Sequence, residues 1–166
     1  MIHIILYQPE IPQNTGNILR TAMATNSMVH IIGPIPFELS DKSLKRAGMD
    51  YLKDAKYEYY SSYEEFVEKF KDKKIYYVTK YGINIYSNVD FTNSIDDVYV
   101  MFGKESTGID KKILSEHKDT TLRIPMLSTA RSLNLSNCVA IVTYEILKQQ
   151  KFPSLASFDM IHKYKI

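Results

Sequence analysis

The stretch Ile2-His-Ile-Ile-Leu-Tyr7, followed directly by Gln8-Pro-Glu-Ile-Pro-Gln-Asn-Thr-Gly-Asn-Ile-Leu-Arg20, decides the fold class. Its first part is an apolar, β-branched run that ends at Gln-Pro, which is typical of a buried strand. Its second part opens a helical pattern in which Ile18, Leu19 and Ala22 share one face. A buried strand that passes through a polar loop into an amphipathic helix is the first half of a β-α-β unit.

Further strand-like and helix-like segments alternate along the rest of the chain. Strands are predicted at Val29–Ile32, Ile75–Thr79, Val98–Phe102 and Leu122–Ile124. Helices are predicted at Asp41–Gly48, from Ser62, where Ser-x-x-Glu with Glu65 forms a capping box, and from about Ser132 to Gln150. The polar segment Tyr86–Asp97 is predicted to be a loop. This alternation predicts an α/β fold, with a mainly parallel sheet and helices on both faces.

Length and composition limit the class of protein. A chain of 166 residues, 45% hydrophobic and 24% charged, is expected to form one domain over residues 1–150, followed by a tail at 151–166. The single cysteine, Cys138, excludes an internal disulfide and Cys-paired zinc sites. The four histidines are scattered along the chain, so we expect no metal centre. The longest charge-free stretch, Thr21–Phe37, is interrupted by polar residues and prolines. We therefore expect a soluble, cytoplasmic protein with no membrane partner.

Three of the loops that follow predicted strands are unusual, and ligands of parallel sheets gather beyond the carboxyl ends of strands. The loops are Gln8–Arg20, Gly103–Ile109 and Pro125–Asn137. Phosphate-binding motifs fail there, because Val98 stands where a P-loop needs glycine and the chain has no Gly-x-Gly-x-x-Gly. The serine-hydrolase motif fails because Glu105 stands in place of the serine and Thr107 in place of the following glycine. Each loop also has a purely structural interpretation. Asn14 or Thr15 could cap the first helix, Gly103 and Gly108 could supply positive φ, and Ser132, Asn134 or Ser136 could cap the last helix.

Four blocks in these regions resemble the signature segments of the SPOUT methyltransferases. The blocks are Gln8–Arg20, Asp41–Tyr51, Phe102–Gly108 and Arg123–Met126 with Arg131–Asn137. They are most similar to the small single-domain branch that 2'-O-methylates the wobble nucleotide, cytidine or modified uridine 34, of tRNA. The resemblance implies an α/β fold with a C-terminal trefoil knot, a homodimer, tRNA as substrate and S-adenosylmethionine as cofactor without a metal.

The resemblance also implies roles for individual residues. Those implied to bind the cofactor are Val78, Gly103, Ile124, Met126, Ser132 and Leu133. Those implied to be catalytic, or to orient the reacting groups, are Arg20, Asn14, Glu105, Ser132 and Asn134. Candidates for tRNA binding are Arg20, Lys42, Lys45, Arg46, Arg123 and Arg131. The apolar stripe of the last helix, or the tail, is the expected dimer interface.

Two departures from the family pattern concern the substrate. The second block often reads Gly-Pro-Glu-x-Arg-Gly in the family, so the role of that arginine falls vacant at Thr107 or passes to Lys104. Leu52 stands where the family often has an aromatic residue or histidine. Three other functions stay open: 2'-O-methylation of another tRNA or rRNA site, non-catalytic RNA binding, and small-molecule binding by a flavodoxin-like domain.

Overall fold

A computed structural model describes residues 1–39, 55–92 and 97–158 of the chain, and these contain seven strands, four α-helices and two 3-10 helices, Tyr86–Asn88 and Lys118–Thr120. The strands are β1 (Ile2–Tyr7), β2 (Met28–Ile32), β3 (Tyr57–Tyr60), β4 (Ile75–Val78), β5 (Asn84–Ile85), β6 (Val98–Gly103) and β7 (Thr121–Arg123). The helices are α1 (Pro12–Ala24), α2 (Tyr63–Lys69), α3 (Lys111–Glu116) and α4 (Leu135–Gln149).

The strands form one sheet in the order β3-β2-β1-β6-β4-β7-β5, and every neighbouring pair is parallel. The predicted α/β class with a parallel sheet is confirmed. Because all pairs are parallel, the carboxyl ends of β1, β6, β4 and β7 lie side by side at one edge of the sheet. The loops that follow these four strands therefore meet in space.

Helices cover both faces of the sheet, and β1 shows why. Its side chains alternate between the faces, so Ile4 and Leu6 join the core beneath α1 and α4, while Ile5 and Tyr7 join the core beneath α2 and α3. All four side chains are buried. A strand buried on both faces needs apolar residues at nearly every position, which explains the apolar run, interrupted only by His3 within β1, that predicted it.

Both long helices begin at a different residue from the one expected. Helix α1 starts at Pro12 after Ile11, without a side-chain cap, so the capping role suggested for Asn14 or Thr15 is wrong. Helix α4 starts at Leu135 and not at Ser132, because the Asn134 side chain accepts hydrogen bonds from the next turn and caps the helix there. The Ser62 cap of α2 is confirmed.

Three short elements were not predicted, namely β3, β5 and α3. The edge strands β3 and β5 have two to four residues with partly exposed side chains, so they lack a clear apolar pattern. Helix α3 has only six residues, too few for a helical period. The predicted helix Asp41–Gly48 lies outside the described residues.

Two histidines lie in a hydrogen-bonded chain beneath α2. His3 Nδ1 lies 2.8 Å from His30 Nε2, and His30 Nδ1 lies 3.0 Å from Tyr60 Oη, which donates to Glu58. His30 is also surrounded by the rings of Phe66 and Phe70. Burial lowers the pKa of His30 to about 4 and also lowers the pKa of His3, although Asp97 opposes the shift at His3.

We expect the free energy of unfolding to fall as the pH drops from 6.5 to about 4.5. In that range histidines of the unfolded chain bind protons while His30 in the folded chain stays neutral, so protonation favours unfolding. The loss is on the order of 2 to 3 kcal/mol, and it precedes most carboxylate titration. Urea unfolding across this range tests it. His30→Phe should flatten the slope, and an unfolding free energy independent of pH in the native chain would contradict the assignment.

Candidate active site

A cavity of about 760 Å³ opens at the carboxyl ends of β1, β6, β4 and β7. Its walls come from four chain segments that lie far apart in the sequence. Its lining residues are Ile11, Asn14, Val78–Tyr81, Phe102–Ile109, Ile124, Met126, Ala130–Leu135 and Cys138. The cavity thus lies where the parallel sheet and the three unusual loops predict a ligand site.

The Glu105 carboxylate joins the loop after β6 to the loop after β1. Its Oε2 accepts a hydrogen bond from the backbone N–H of Glu10 at 2.8 Å. Its Oε1 accepts from the backbone N–H of Ile11 at 3.2 Å and from Asn14 Nδ2 at 3.1 Å. These two backbone N–H groups belong to the residues directly before α1, and Ile11 is its N-cap residue, so the helix offers the Ile11 N–H no partner. One ionised side chain therefore satisfies three donors and holds the two loops together.

A second glutamate makes the reciprocal connection. Glu10, in the loop after β1, accepts hydrogen bonds from the backbone N–H and the hydroxyl of Ser106, both at 2.8 Å. Lys104 adds a third bond between the same loops by donating to Gln8 Oε1 at 2.9 Å. Lys104 and Thr107 are the two positions considered for the role of the family arginine, and both line the cavity. The Lys104 ammonium contacts the loop after β1. The two loops behave as one unit because each carries a carboxylate that the other satisfies.

Asn14 extends this network to the loop that precedes α4. Asn14 Oδ1 accepts a hydrogen bond from Asn134 Nδ2 at 2.9 Å. Asn134 Oδ1 in turn accepts from the backbone N–H of Ser136 at 2.9 Å and from its hydroxyl. Asn14 is buried, so both ends of its amide need a partner, and both have one. The network therefore connects all three of the loops that the sequence singled out.

Gly103 ends β6 at the floor of the cavity, in a conformation that a side chain would not tolerate. Its φ is +105°, and a Cβ added there would lie 2.5 Å from the carbonyl oxygen of Tyr7. Gly108 also has a positive φ, of +78°. Both glycines supply the positive φ that their structural interpretation predicted. Gly103 additionally allows β1 and β6 to approach closely beside the cavity.

The structure brings most of the predicted site residues to the cavity. The residues implied to bind the cofactor all line it, and so do Asn14, Glu105, Arg131 and Asn134. Arg20 and Arg123 are not among the lining residues in the described part of the chain. Arg20 lies on the exposed side of α1, and Arg123 donates to the backbone carbonyl of Lys80. Lys42, Lys45, Arg46 and Leu52 lie outside the described residues.

Several residues that build the site were missed. Glu10, Ser106 and Gln8 stand inside the quoted blocks, yet polar side chains in a polar loop carry no local sign of their partners. Tyr81 and Lys80 line the cavity and follow β4. Their place shortly after a predicted strand is the sequence signal that could have identified them.

The cavity combines apolar surface with positively charged side chains, so it suits an amphipathic ligand. Val78, Ile124, Met126 and Leu133 supply apolar surface, and Gly103 leaves backbone accessible. Lys80, Lys104 and Arg131 provide positive charge, whereas the Glu105 charge is already hydrogen-bonded. A nucleoside joined to an amino acid fits this lining, since adenine needs apolar faces and backbone partners. Within residues 1–39, 55–92 and 97–158, no group of three His, Cys, Asp or Glu side chains converges as metal ligands.

The described helices include none that is long and apolar enough to cross a bilayer.

Fold and site together define an α/β protein with a ligand cavity built from loops at the carboxyl edge of a parallel sheet. The model of the SpoU rRNA Methylase family matches residues 1–144, and the chain belongs to that family.

Individual relatives agree with this membership. The tRNA (cytidine(34)-2'-O)-methyltransferase of Escherichia coli strain K12 is 39% identical over 160 residues, which cover 96% of this chain and all of that protein. A crystal structure of a Bacillus anthracis protein is 47% identical, with a TM-score of 0.90 over 96% of this chain and 100% of that one. A structure described by the 2-OH methylation of C/U34 on tRNA is 37% identical, with a TM-score of 0.83 over 91% and 97%.

We expect Glu105→Gln to destabilise the fold by about 1 to 3 kcal/mol. The substituted amide places an NH₂ group against N–H donors, so at least one of three donors loses its acceptor. Urea unfolding at neutral pH measures the change. Glu68→Gln is the matched control, because Glu68 is 80% exposed and forms a surface ion pair with Lys71. Equal unfolding free energies for the two variants would show that Glu105 does not hold the loops together.

Proposed function

We propose that this protein transfers a methyl group from S-adenosylmethionine to the ribose 2'-hydroxyl of the wobble nucleotide, cytidine or modified uridine 34, of tRNA. The observation that carries the proposal is the loop-built cavity, whose lining includes all six residues implied to bind the cofactor. The E. coli relative that is named for this reaction matches over its full length, which supports the same activity here. A cytoplasmic location, where tRNA is modified, belongs to this proposal.

The residues around the cavity would bind and align the reactants. S-adenosylmethionine supplies an electrophilic methyl group on a sulfonium. Val78, Ile124, Met126 and Leu133 would enclose the adenosine and methionine parts, and Gly103 would allow close backbone approach. Displacement at a methyl group requires the attacking oxygen to lie in line, so the loops must not shift. The hydrogen bonds of Glu105 and Asn14 would supply that rigidity.

Arg20 would act on the nucleophile as a cation. A guanidinium keeps its proton at neutral pH, so a literal base role is unfavourable. Placed against the 2'-oxygen, it would stabilise the negative charge that develops there and could grip a neighbouring phosphate with its second edge. Arg131, Ser132 and Asn134 at the cavity would orient the ribose or the cofactor. Arg123, Lys42, Lys45 and Arg46 stay candidates for tRNA phosphates.

We further propose a homodimer, which would enlarge the surface available to tRNA. The apolar stripe of α4, expected at the interface, packs in the core of its own chain: Val139, Val142 and Ile146 are fully buried. The exposed apolar residues of the same helix, Ile141 and Tyr144, support an interface on its outer side. Helix α1 packs against α4. A dimer interface on the outer side of α4 would therefore bring the second copy near α1, the helix that carries Arg20.

The decisive experiment is transfer of labelled methyl from S-adenosylmethionine to unmodified total tRNA, with mapping of the product nucleotide. We expect a 2'-O-methyl group at nucleotide 34. Arg20→Ala should lower the rate on the order of 100-fold or more, and Arg20→Lys should not restore it, because an ammonium lacks the planar fork.

Lys71→Gln, which removes an exposed cation of a surface ion pair, is the matched control and should keep full activity. Methylation at another tRNA or rRNA position would replace the proposed substrate. Full activity of Arg20→Ala would remove Arg20 from the mechanism. No binding of S-adenosylmethionine by the wild-type protein would leave RNA binding without catalysis, or another small ligand, as the function.

A further inference from the structure

The loop after β4 carries an exposed tyrosine at the rim of the cavity. Tyr81 lines the cavity, yet 59% of the residue is accessible to solvent. Lys80 places its Nζ 5.2 Å from the centre of the Tyr81 ring. Exposed aromatic rings that carry no packing role, next to a ligand cavity, are the surfaces on which unstacked bases bind.

The loop that carries Tyr81 is held at several points, so the ring is presented from a fixed backbone. Arg123 donates to the Lys80 carbonyl, and the N–H groups of Tyr81 and Gly82 donate to Thr79 at 3.3 and 3.1 Å. A Cβ added to Gly82 would lie 2.4 Å from the Leu122 backbone, so the loop lies directly against β7. A fixed aromatic ring loses little conformational freedom when a ligand binds to it.

A second lysine–tyrosine pair, at the other end of β4, has a tyrosine that packs in the core and serves as a comparison for Lys80 and Tyr81. Lys74 Nζ lies 5.0 Å from the centre of the Tyr76 ring. Tyr76 is half-buried and packs edge-on against Phe91, at 5.2 Å between ring centres, so its ring contributes to the core. Tyr81 has no such burial. The two pairs share their chemistry and differ in exposure and in distance along β4 from the cavity.

We propose that Tyr81 is a stacking platform for an unpaired RNA base beside the target nucleotide, and that Lys80 binds an adjacent phosphate. This inference rests on the proposed function, since it assigns to that reaction a substrate-positioning residue. A single-stranded loop exposes both base faces and phosphates, which match a ring and an ammonium placed together. The stacking is tolerant of sequence because every base has a π-face.

The first test compares Tyr81→Ala, Tyr81→Phe and the wild type in steady-state methyl transfer to tRNA. We expect about a tenfold or larger increase in the KM for tRNA in Tyr81→Ala, and a KM within about twofold of wild type in Tyr81→Phe, which keeps the ring. The dissociation constant for S-adenosylmethionine should not change in either variant. Tyr59→Ala is the matched control, because Tyr59 is a 47% exposed tyrosine on β3 at the opposite edge of the sheet.

Four results would overturn the stacking role. They are an unchanged KM for tRNA in Tyr81→Ala, a loss confined to S-adenosylmethionine binding, an equal defect in Tyr81→Phe, and a defect in Tyr81→Ala explained by loss of the dimer in sedimentation. A loss confined to S-adenosylmethionine binding would assign the Tyr81 ring to the cofactor, and an equal defect in Tyr81→Phe would assign the role to the hydroxyl. Loss of the dimer would assign Tyr81 to the interface.

The second test measures binding without catalysis, using an anticodon stem-loop RNA with 2-aminopurine beside nucleotide 34. We expect the wild type to quench its fluorescence by stacking and Tyr81→Ala to bind with little quenching. Lys80→Gln should reduce the slope of log affinity against log salt by about 0.7 to 0.9, and Lys74→Gln should not. Binding and quenching without methyl transfer would contradict the proposed reaction alone. Equal quenching by Tyr81→Ala would overturn this inference alone, and no RNA binding by the wild type would overturn both.

Discussion

The hydrogen bonds between the Glu105 carboxylate and the start of α1 are the interaction on which the site depends. They join segments more than 90 residues apart, and they satisfy backbone N–H groups that α1 leaves without partners. Glu10 returns the connection to Ser106, and Asn14 passes it to Asn134 at the start of α4. Since the acceptor is a carboxylate and two of the three bonds, those from Glu10 and Asn14, are partly buried, these bonds are stronger than ordinary loop contacts. These bonds connect the three loops that line the cavity.

The parallel sheet makes this connection possible. β1 lies between β2 and β6, and β6 lies beside β4, so the loops after these strands leave the sheet at the same edge. β1 is buried on both faces, and its alternating side chains join two separate cores. The cavity thus stands on the most buried part of the molecule. A rigid sheet beneath loops that are tied to one another is what an in-line displacement requires, because small misplacements of the reacting atoms are costly in rate.

The cavity wall and its rim have different physical characters. Asn14 and Glu105 in the wall are satisfied by hydrogen bonds within the protein, so they position other groups. Lys80 and Arg131 at the rim bring positive charge to a chain whose net charge is only +2. This local concentration of charge explains how a nearly neutral protein would attract a polyanion.

The sequence by itself determined the α/β class, because the apolar runs and helical periods that encode it are local. Through the resemblance, it also predicted Asn14, Glu105 and Asn134 as site residues, and all three line the cavity. Only the tertiary structure decided which group each one binds, because the partners lie 91 and 120 residues apart and meet only when the parallel strands are paired. The same holds for the contacts of Glu10 and for the short edge strands β3 and β5. Their roles come from neighbours supplied by the sheet, and no local pattern records those neighbours.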